Sequence, residues 1–409
     1  MASKKINAIF LSFDGLSDPL GQSQILPYIE GLSKQDISFT IVSVEKPNRI
    51  LNAESLIRKR LDMNNISWYW FNFSSNPPIF STLYTLWKIY RKVKNLTNKK
   101  QQSIIHCRSY LTMLVGILFK SKDTKIIFDM RGFWPDERVE GGVWNMKNPF
   151  YHMVYKFFKR KEKLFISKSD AIVVLTEKAE QIIRSKYNGT ISLDITVIPC
   201  SVSTNHFDYN KMVKLESRKK LNLDSDQVIV SYVGSIGTWY MLDEMMDFFH
   251  ILMKSNSNVM ILFITLDDKR IIIDRAKLRN MDTSKILVIP STYMDMPNIL
   301  SVSDYSLYFI KPSFSKMASS PTKLGEILAL GIPVVTNAGV GDGDVFFEKF
   351  PEAGVLISEF SEQSYIQVID KLKFHKFGTP EEIRAVAIQN FSLEQAVDRY
   401  KIIYKKLLR

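Results

Sequence analysis

Along this chain, short and nearly continuous apolar runs alternate with stretches whose apolar residues recur every three or four positions. The runs at 7–13, 38–44, 67–73, 104–106, 125–129, 171–175 and 194–198 read as strands. They lack strict polar alternation, which fits strands buried on both faces of a parallel sheet. Between them, 22–33, 82–96 and 149–165 have helical spacing. A second series begins near residue 227, with strands at 227–233, 259–264, 285–289, 305–309 and 333–335. Two successive strand–helix–strand series predict an α/β protein of two doubly wound domains. The polar stretch 201–210 marks the boundary, so the domains are expected at 1–204 and 205–392. The amphipathic segment 393–408 has no strand after it. Residues 393–409 are therefore expected to form a helix that packs back across the domain junction.

Ligands of an open α/β sheet bind outside the carboxyl ends of its strands. With two such sheets facing each other, the loops after their strands would converge on a cleft. The loop after the first strand, Asp14 to Gln24, carries Gly15 and Gly21-Gln22, and glycine at such a turn lets backbone approach a ligand. It is not a dinucleotide fingerprint. Gly234-Ser235-Ile236-Gly237-Thr238 occupies the equivalent place in the second domain, where close approach and simple tight packing are both open readings. The strongest local signal is Ser319-Ser320-Pro321-Thr322-Lys323-Leu324-Gly325-Glu326, running on to Gly331 and Val335. Ser320 as cap, Pro321 as first helical residue and Gly331 as stop predict a helix of about ten residues. Its amino end suits an anion. Lys323 sits in the first turn, where the dipole alone would favour an acid, and such local conflict points to function. Glu326, one turn on, can accept hydrogen bonds from ligand hydroxyls. A phosphate beside a diol describes a nucleotide.

The run from Ser319 to Val335 resembles the nucleotide-sugar signature of family 4 retaining glycosyltransferases, which have the two-domain GT-B fold. The Gly21-Gln22 turn is similar to that family's first glycine-rich loop. Residues 197–207 resemble its hinge segment, and the Gly234–Gly237 turn matches in position. The resemblance implies a metal-independent hexosyltransferase that moves a sugar from a UDP- or GDP-linked donor with retention, and needs no cofactor. The implied acceptor is a lipid-linked or growing glycan in cell-surface polysaccharide or glycoconjugate assembly. Donor contacts fall to Glu326, Ser319, Ser320, Pro321, Thr322, Gly234, Gly237, Thr238, Gly21 and Gln22. The family often has a first glutamate where this chain has Ala318, and Arg and Lys where it has Ser235 and Tyr240. Lys316 and Lys323 are then the candidates for the diphosphate. The loop Asp129–Arg138 is implied to line the sugar and acceptor pocket, with Arg131 on phosphate and Asp136 or Glu137 on acceptor hydroxyls. Alternatively Arg131 is simply paired with Asp129 or Glu137. A non-catalytic, membrane-associated binding module of the same fold is the competing reading.

At 45% hydrophobic and 24% charged residues, the 409-residue chain is neither disordered nor collagenous. Two cysteines, Cys107 and Cys200, cannot build a disulfide framework, so reduced thiols in a cytoplasmic protein are expected. Lys4-Lys5 and the short apolar run behind them read as the lead into a first strand rather than a signal peptide. No apolar run reaches the roughly 20 residues needed to span a bilayer. Asp342-Gly343-Asp344 has a metal-binding form but reads as a solvated turn, and the five histidines are scattered, so no metal is expected.

Charge alters the picture most. Residues 1–200 hold 30 Lys/Arg against 17 Asp/Glu, while the rest is balanced, so the whole formal +13 lies in the first half. Basic residues cluster at Lys88, Arg91, Lys92 and Lys94, and again from Lys156 to Lys163, beside apolar residues at helical spacing. These are core-facing helices with solvated basic faces, or they meet an anionic membrane surface. Nucleic acid is disfavoured because no binding motif accompanies the charge. The expectation is a peripheral protein at the inner face of the membrane.

Overall fold

The computed structural model describes residues 6–77, 79–97, 103–187, 194–373 and 377–408. Lys4 and Lys5 lie outside them. The apolar runs become strands, all paired in parallel: β1 (Ile6–Ser12), β2 (Ile37–Glu45), β3 (Ser67–Asn72), β4 (Ser103–Arg108), β5 (Thr124–Asp129), β6 (Ala171–Val174) and β7 (Ile195–Val197) form one sheet. A second contains β8 (Val228–Val233), β9 (Val259–Ile264), β10 (Ile286–Ile289), β11 (Tyr305–Leu307), β12 (Val334–Asn337) and β13 (Gly354–Ile357). The orders are β3-β2-β1-β4-β5-β6-β7 and β10-β9-β8-β11-β12-β13. Each sheet therefore reverses strand order once, at β1/β4 and at β8/β11, where a doubly wound sheet opens a crevice. The pattern missed β13. Gly354 opens this short strand with φ +152, and a Cβ there would lie 2.1 Å from Val334 O, so only glycine allows the pairing with β12.

The chain divides into two compact units, Met1–Pro199 with Leu393–Arg409, and Cys200–Ser392. Residues 200–204, expected in the first domain, are tied to the second unit. Cys200 N donates to Ser320 Oγ (3.1 Å), Val202 N donates to Phe391 O (2.8 Å), and Arg384 donates to Thr204 O (2.8 Å). The expected helix at 22–33 is two, Pro19–Gln24 and Leu26–Ser33, since Pro27 supplies no amide to continue the first.

Helix Leu393–Lys406 completes the first unit by packing on helix Leu26–Ser33. Its apolar stripe, including Ala396, Val397, Tyr400 and Ile403, joins the core beneath β1 and β2. Two tyrosines carry hydroxyls into that core. Tyr404 shares a 2.7 Å hydrogen bond with His106 Nδ1, and Tyr400 donates to Asp129 Oδ2 at 3.1 Å.

The basic helices bury less than their spacing suggested. Helix Phe80–Thr97 turns Thr85, Leu86, Ile89 and Val93 inward, while Leu83 and Trp87, which share its apolar spacing, are exposed. Its apolar sector is wider than the sheet can cover. Helix Pro149–Lys168 likewise buries Phe158 and Phe165 and exposes Phe150 and Phe157. No helix among the described residues is long and apolar enough to cross a membrane.

Tyr404→Phe should lower stability by about 1–2 kcal/mol, because the buried His106 Nδ1 loses its partner. Thermal melting checks this, with a midpoint drop of a few degrees expected; an unchanged midpoint would show that the hydrogen bond contributes nothing.

Candidate active site

In the second unit the segments following β8 and β11 come together at the strand-order reversal. Helix Thr322–Ala329 begins one residue later than its sequence suggested, with Pro321 at the cap position and no side chain capping it. Ser320 is not the cap because its hydroxyl holds Cys200 N instead. Gly331 ends the helix as expected, at φ +70, with its N–H on Leu328 O. Gly325 lies where a Cβ would meet Phe391 and Val202 within 3.2 Å, so the helix packs closely on its own unit.

Lys323 is the unusual group. It is 8% exposed, and its Nζ has no hydrogen-bond partner among the described residues. The ammonium instead lies over the rings of Tyr240 (3.7 Å), Tyr232 (4.6 Å) and Tyr308 (5.4 Å). Gly234 forms the remaining wall with φ +123; a Cβ there would stand 2.8 Å from Nζ. Glycine is thus required twice over, by backbone conformation and by space. Burial pushes the Lys323 pKa down to about 7, with Glu326 pulling in the other direction. Burial pushes Glu326 up to about 7, again opposed by its neighbour. The aromatic faces favour the charged lysine as Glu326 does, so the site holds a cation at high desolvation cost.

Lys316 is also buried, with Nζ 3.8 Å from the ring of Trp239. The loop carrying Gly234, Gly237 and Thr238 is held from behind. Gly234 N donates to Ile264 O (3.0 Å), Ile236 N to Asp267, and Tyr240 N to Gly237 O (2.8 Å). Nothing crowds Gly237, and Thr238 is exposed on the loop. The segment after β11 is clamped by Asn337, which accepts from Ile310 N (2.8 Å) and donates to Ile310 O (2.9 Å). Of the predicted donor residues, Lys323, Glu326, Thr322 and Gly234 gather here with Lys316. Ser319 and Ser320 lead into the helix as its structural approach. Sequence reading missed the aromatic lining and the two clamps, Asp267 and Asn337. Trp239-Tyr240 directly after a glycine-rich turn was the available signal. Asp344 of the Asp-Gly-Asp turn accepts from Gly339 N at 3.1 Å.

In the first unit the turn after β1 is organised by a residue the sequence did not single out. Buried Glu45 accepts from Leu16 N (2.8 Å), Ser17 N (3.0 Å), Ser17 Oγ (2.6 Å) and Ser43 Oγ (2.6 Å). A Cβ on Gly21 would lie 2.1 Å from Gly15 O, so this glycine serves the turn's own packing. Gln22 ties the same turn, donating to Leu16 O at 2.7 Å.

After β5, Arg131 has φ +56 and is followed by Gly132 at φ +117. Burial alone would raise the Asp129 pKa. The charge of Arg131, with His106 and Arg108, overcomes this and holds it below the usual carboxylate range. The charge of Arg131 thus acts on Asp129, whose ion pairs run to His106 (3.4 Å) and Arg108 (3.9 Å). Both oxygens of Asp136 are engaged, by Tyr155 (2.8 Å) and Lys159 (2.7 Å), so it brackets helix Trp134–Glu140 to helix Pro149–Lys168. Glu137, beside it, is half-buried.

With this geometry, comparison with known proteins is informative. Residues 24–206 match the family described as Glycosyltransferase Family 4. TuaC of Bacillus subtilis, assigned as a teichuronic acid biosynthesis glycosyltransferase, is 25% identical over 246 residues. That match takes in 59% of this chain and 56% of TuaC, so the chain spans little more than half the length of this relative. Among solved structures, Anabaena HepE in complex with UDP and glucose superposes with TM-score 0.71 at 12% identity, covering 98% of this chain and 100% of that one. A glycosyltransferase from Rickettsia africae gives TM-score 0.69 at 18% identity, covering 99% of each.

Replacing Lys323 by Met should stabilise the protein by about 1–4 kcal/mol at pH 7, since a desolvated ammonium is replaced by an apolar chain. The pH dependence carries a sign. With Lys323 lowered from 10.5 to about 7, the unfolded chain binds the extra proton between those values, so wild-type stability rises with pH across that window. Glu326, raised from 4.5 to about 7, makes stability fall as pH rises to about 7. Melting curves of wild type and Lys323→Met from pH 6 to 9 should converge towards high pH. A variant that melts below wild type throughout would contradict a buried, costly cation.

Proposed function

We propose that this chain, whose residues 24–206 match glycosyltransferase family 4 and whose two units carry the GT-B fold, is a retaining hexosyltransferase. It moves a sugar from a uridine or guanosine diphosphate donor to a lipid-linked or growing glycan, in cell-surface polysaccharide or glycoconjugate assembly. One observation carries the reading: a buried ammonium, Lys323, with aromatic neighbours but no hydrogen-bond partner among the described residues, at the uncapped start of a helix on the strand-order reversal. Such a site suits an anion. The complex of HepE with UDP and glucose, and the role assigned to TuaC, support a donor and an assembly pathway of this kind.

In this reading the diphosphate lies at the start of helix Thr322–Ala329, with Lys323 and Lys316 beside it. A dianionic neighbour would restore the ordinary basicity of Lys323 and make its charge inexpensive. Gly234 lets backbone approach the phosphates, and Glu326 accepts hydrogen bonds from the ribose. The acceptor hydroxyl attacks the anomeric carbon on the face from which the diphosphate leaves. Its oxygen forms the new glycosidic bond, the bond to phosphate oxygen breaks, and the hydroxyl proton passes to the departing phosphate. The duty of the protein is to stabilise charge growing on that group, which preorganised cations do well in a dry site. With lysines in that role, the step as read here requires neither a metal nor a protein nucleophile. Arg131 is the third cation of the reading, and Asp136 or Glu137 is its acceptor contact. A membrane-borne acceptor places the protein in the cytoplasm, at the inner face of the membrane.

Incubation with a panel of UDP- and GDP-sugars, scored by release of free nucleoside diphosphate, tests the activity. Release that depends on an acceptor extract supports it; tight donor binding without turnover would favour a non-catalytic module. Glu326→Gln should weaken binding of the matching nucleotide by about 1.5–3 kcal/mol, measured by titration calorimetry. Unchanged affinity in a folded variant would remove Glu326 from the ribose.

A further inference from the structure

The first unit carries an outer layer that its own core does not explain. Helices Phe80–Thr97 and Pro149–Lys168 flank helix Ser109–Gly116, which contacts both. Along the outside of this layer stand Phe80, Leu83, Tyr84, Trp87, Phe150, Met153 and Phe157, each between 43% and 72% exposed. Exposed apolar side chains are ordinary when scattered singly, but several along one helix mark an interaction surface. An open groove of about 640 Å³ on the second helix is lined by Met153, Phe157, Lys156, Arg160 and Lys161, with no acidic residue.

Charge identifies the occupant. Helix Phe80–Thr97 has no carboxylate, and the sole one on Pro149–Lys168, Glu162, is buried. Glu162 accepts from Tyr110 (2.7 Å), Tyr187 (3.0 Å), Lys186 (2.8 Å) and Lys159 (3.2 Å), so Lys159 and Lys186 are spent inside the fold. Lys88, Arg91, Lys94, Lys156, Arg160 and Lys163 remain outside without such partners among the described residues. Their stems lie against the aromatic side chains: Lys88 Nζ is 4.3 Å from the Tyr84 ring and the Arg91 guanidinium 4.9 Å from that of Trp87. Aromatic rings with cationic heads beside them suit the interface of a bilayer, where rings enter the headgroup layer and cations reach lipid phosphates. A second copy of this chain fits badly, because face-to-face pairing would set two carboxylate-free basic layers against each other.

We infer that this helical layer is a membrane-docking face that inserts Leu83, Tyr84, Trp87, Met153 and Phe157 into the headgroup region of an anionic bilayer. The basic residues select the lipid charge and the aromatic residues hold the protein once it has arrived. This deepens the membrane reading above but does not depend on the donor, so vesicle binding and nucleotide binding fail separately. Purely electrostatic attachment would be screened over about 8 Å at physiological ionic strength and lost in high salt. Insertion survives.

The test is flotation of the full chain with phosphatidylcholine vesicles with or without 30 mol% phosphatidylglycerol, at 0.05 and 0.5 M NaCl. Wild type should float with the anionic vesicles and keep at least a third of that binding at high salt. Leu83→Ser/Trp87→Ser, at exposed positions that should leave melting unchanged, should lose the salt-resistant fraction at least fivefold. Lys88→Gln/Arg91→Gln/Lys94→Gln should lose the preference for anionic vesicles. Complete release of wild type at high salt overturns insertion. Absence of vesicle binding, with a concentration-dependent dimer in sedimentation, overturns the bilayer as occupant.

Discussion

A parallel sheet cannot be closed by hairpins, so each strand is reached by a crossover that lies on one face or the other. In both sheets the crossovers change face once, at β1/β4 and at β8/β11. Backbone at the carboxyl ends of those strands is left without a neighbouring crossover to cover it, and polar residues collect there. The donor-site candidates of the second unit follow from that constraint. Lys323, Lys316 and Gly234 stand at one reversal; Asp14 and Arg108 stand at the other, joined by a 3.2 Å ion pair.

The two units treat buried charge differently. In the first, Glu45 and Glu162 are buried carboxylates surrounded by donors, and each ties elements that would otherwise be loosely connected. Removing one partner would strand the other, so these are structural fixtures. In the second, Lys323 is buried among rings without a hydrogen-bond acceptor among the described residues. Burying that ammonium costs stability, and in the reading proposed above a bound anion offsets the cost.

Helix burial follows a related logic. The helices over the first sheet bury one stripe, and the strands beneath need no more than Thr85, Leu86, Ile89 and Val93, or Phe158 and Phe165, to be covered. Further apolar residues on the same helices have no interior to enter. Their surplus, together with a charge excess confined to the first half of the chain, accounts for the docking layer without any change to the core.

Much of this was legible in the sequence because it is local. Strand runs, helix stops such as Gly331, and the placing of Lys323 against the dipole depend on neighbours within a few residues, and so they can be read along the chain. The long-range partners could not be read. Glu45 meets Leu16, Asp267 meets Ile236, Asn337 meets Ile310 and Tyr404 meets His106 only because crossovers bring distant segments to one strand end. Ser320 illustrates the difference: by sequence it is a helix cap, but tertiary contact offered its hydroxyl the amide of Cys200, and the cap passed to Pro321. Helical spacing likewise revealed that Trp87 lies on an apolar stripe, but not which part of the stripe faces the sheet. Periodicity records direction around an axis; burial depends on what stands opposite, and only the assembled sheet decides that.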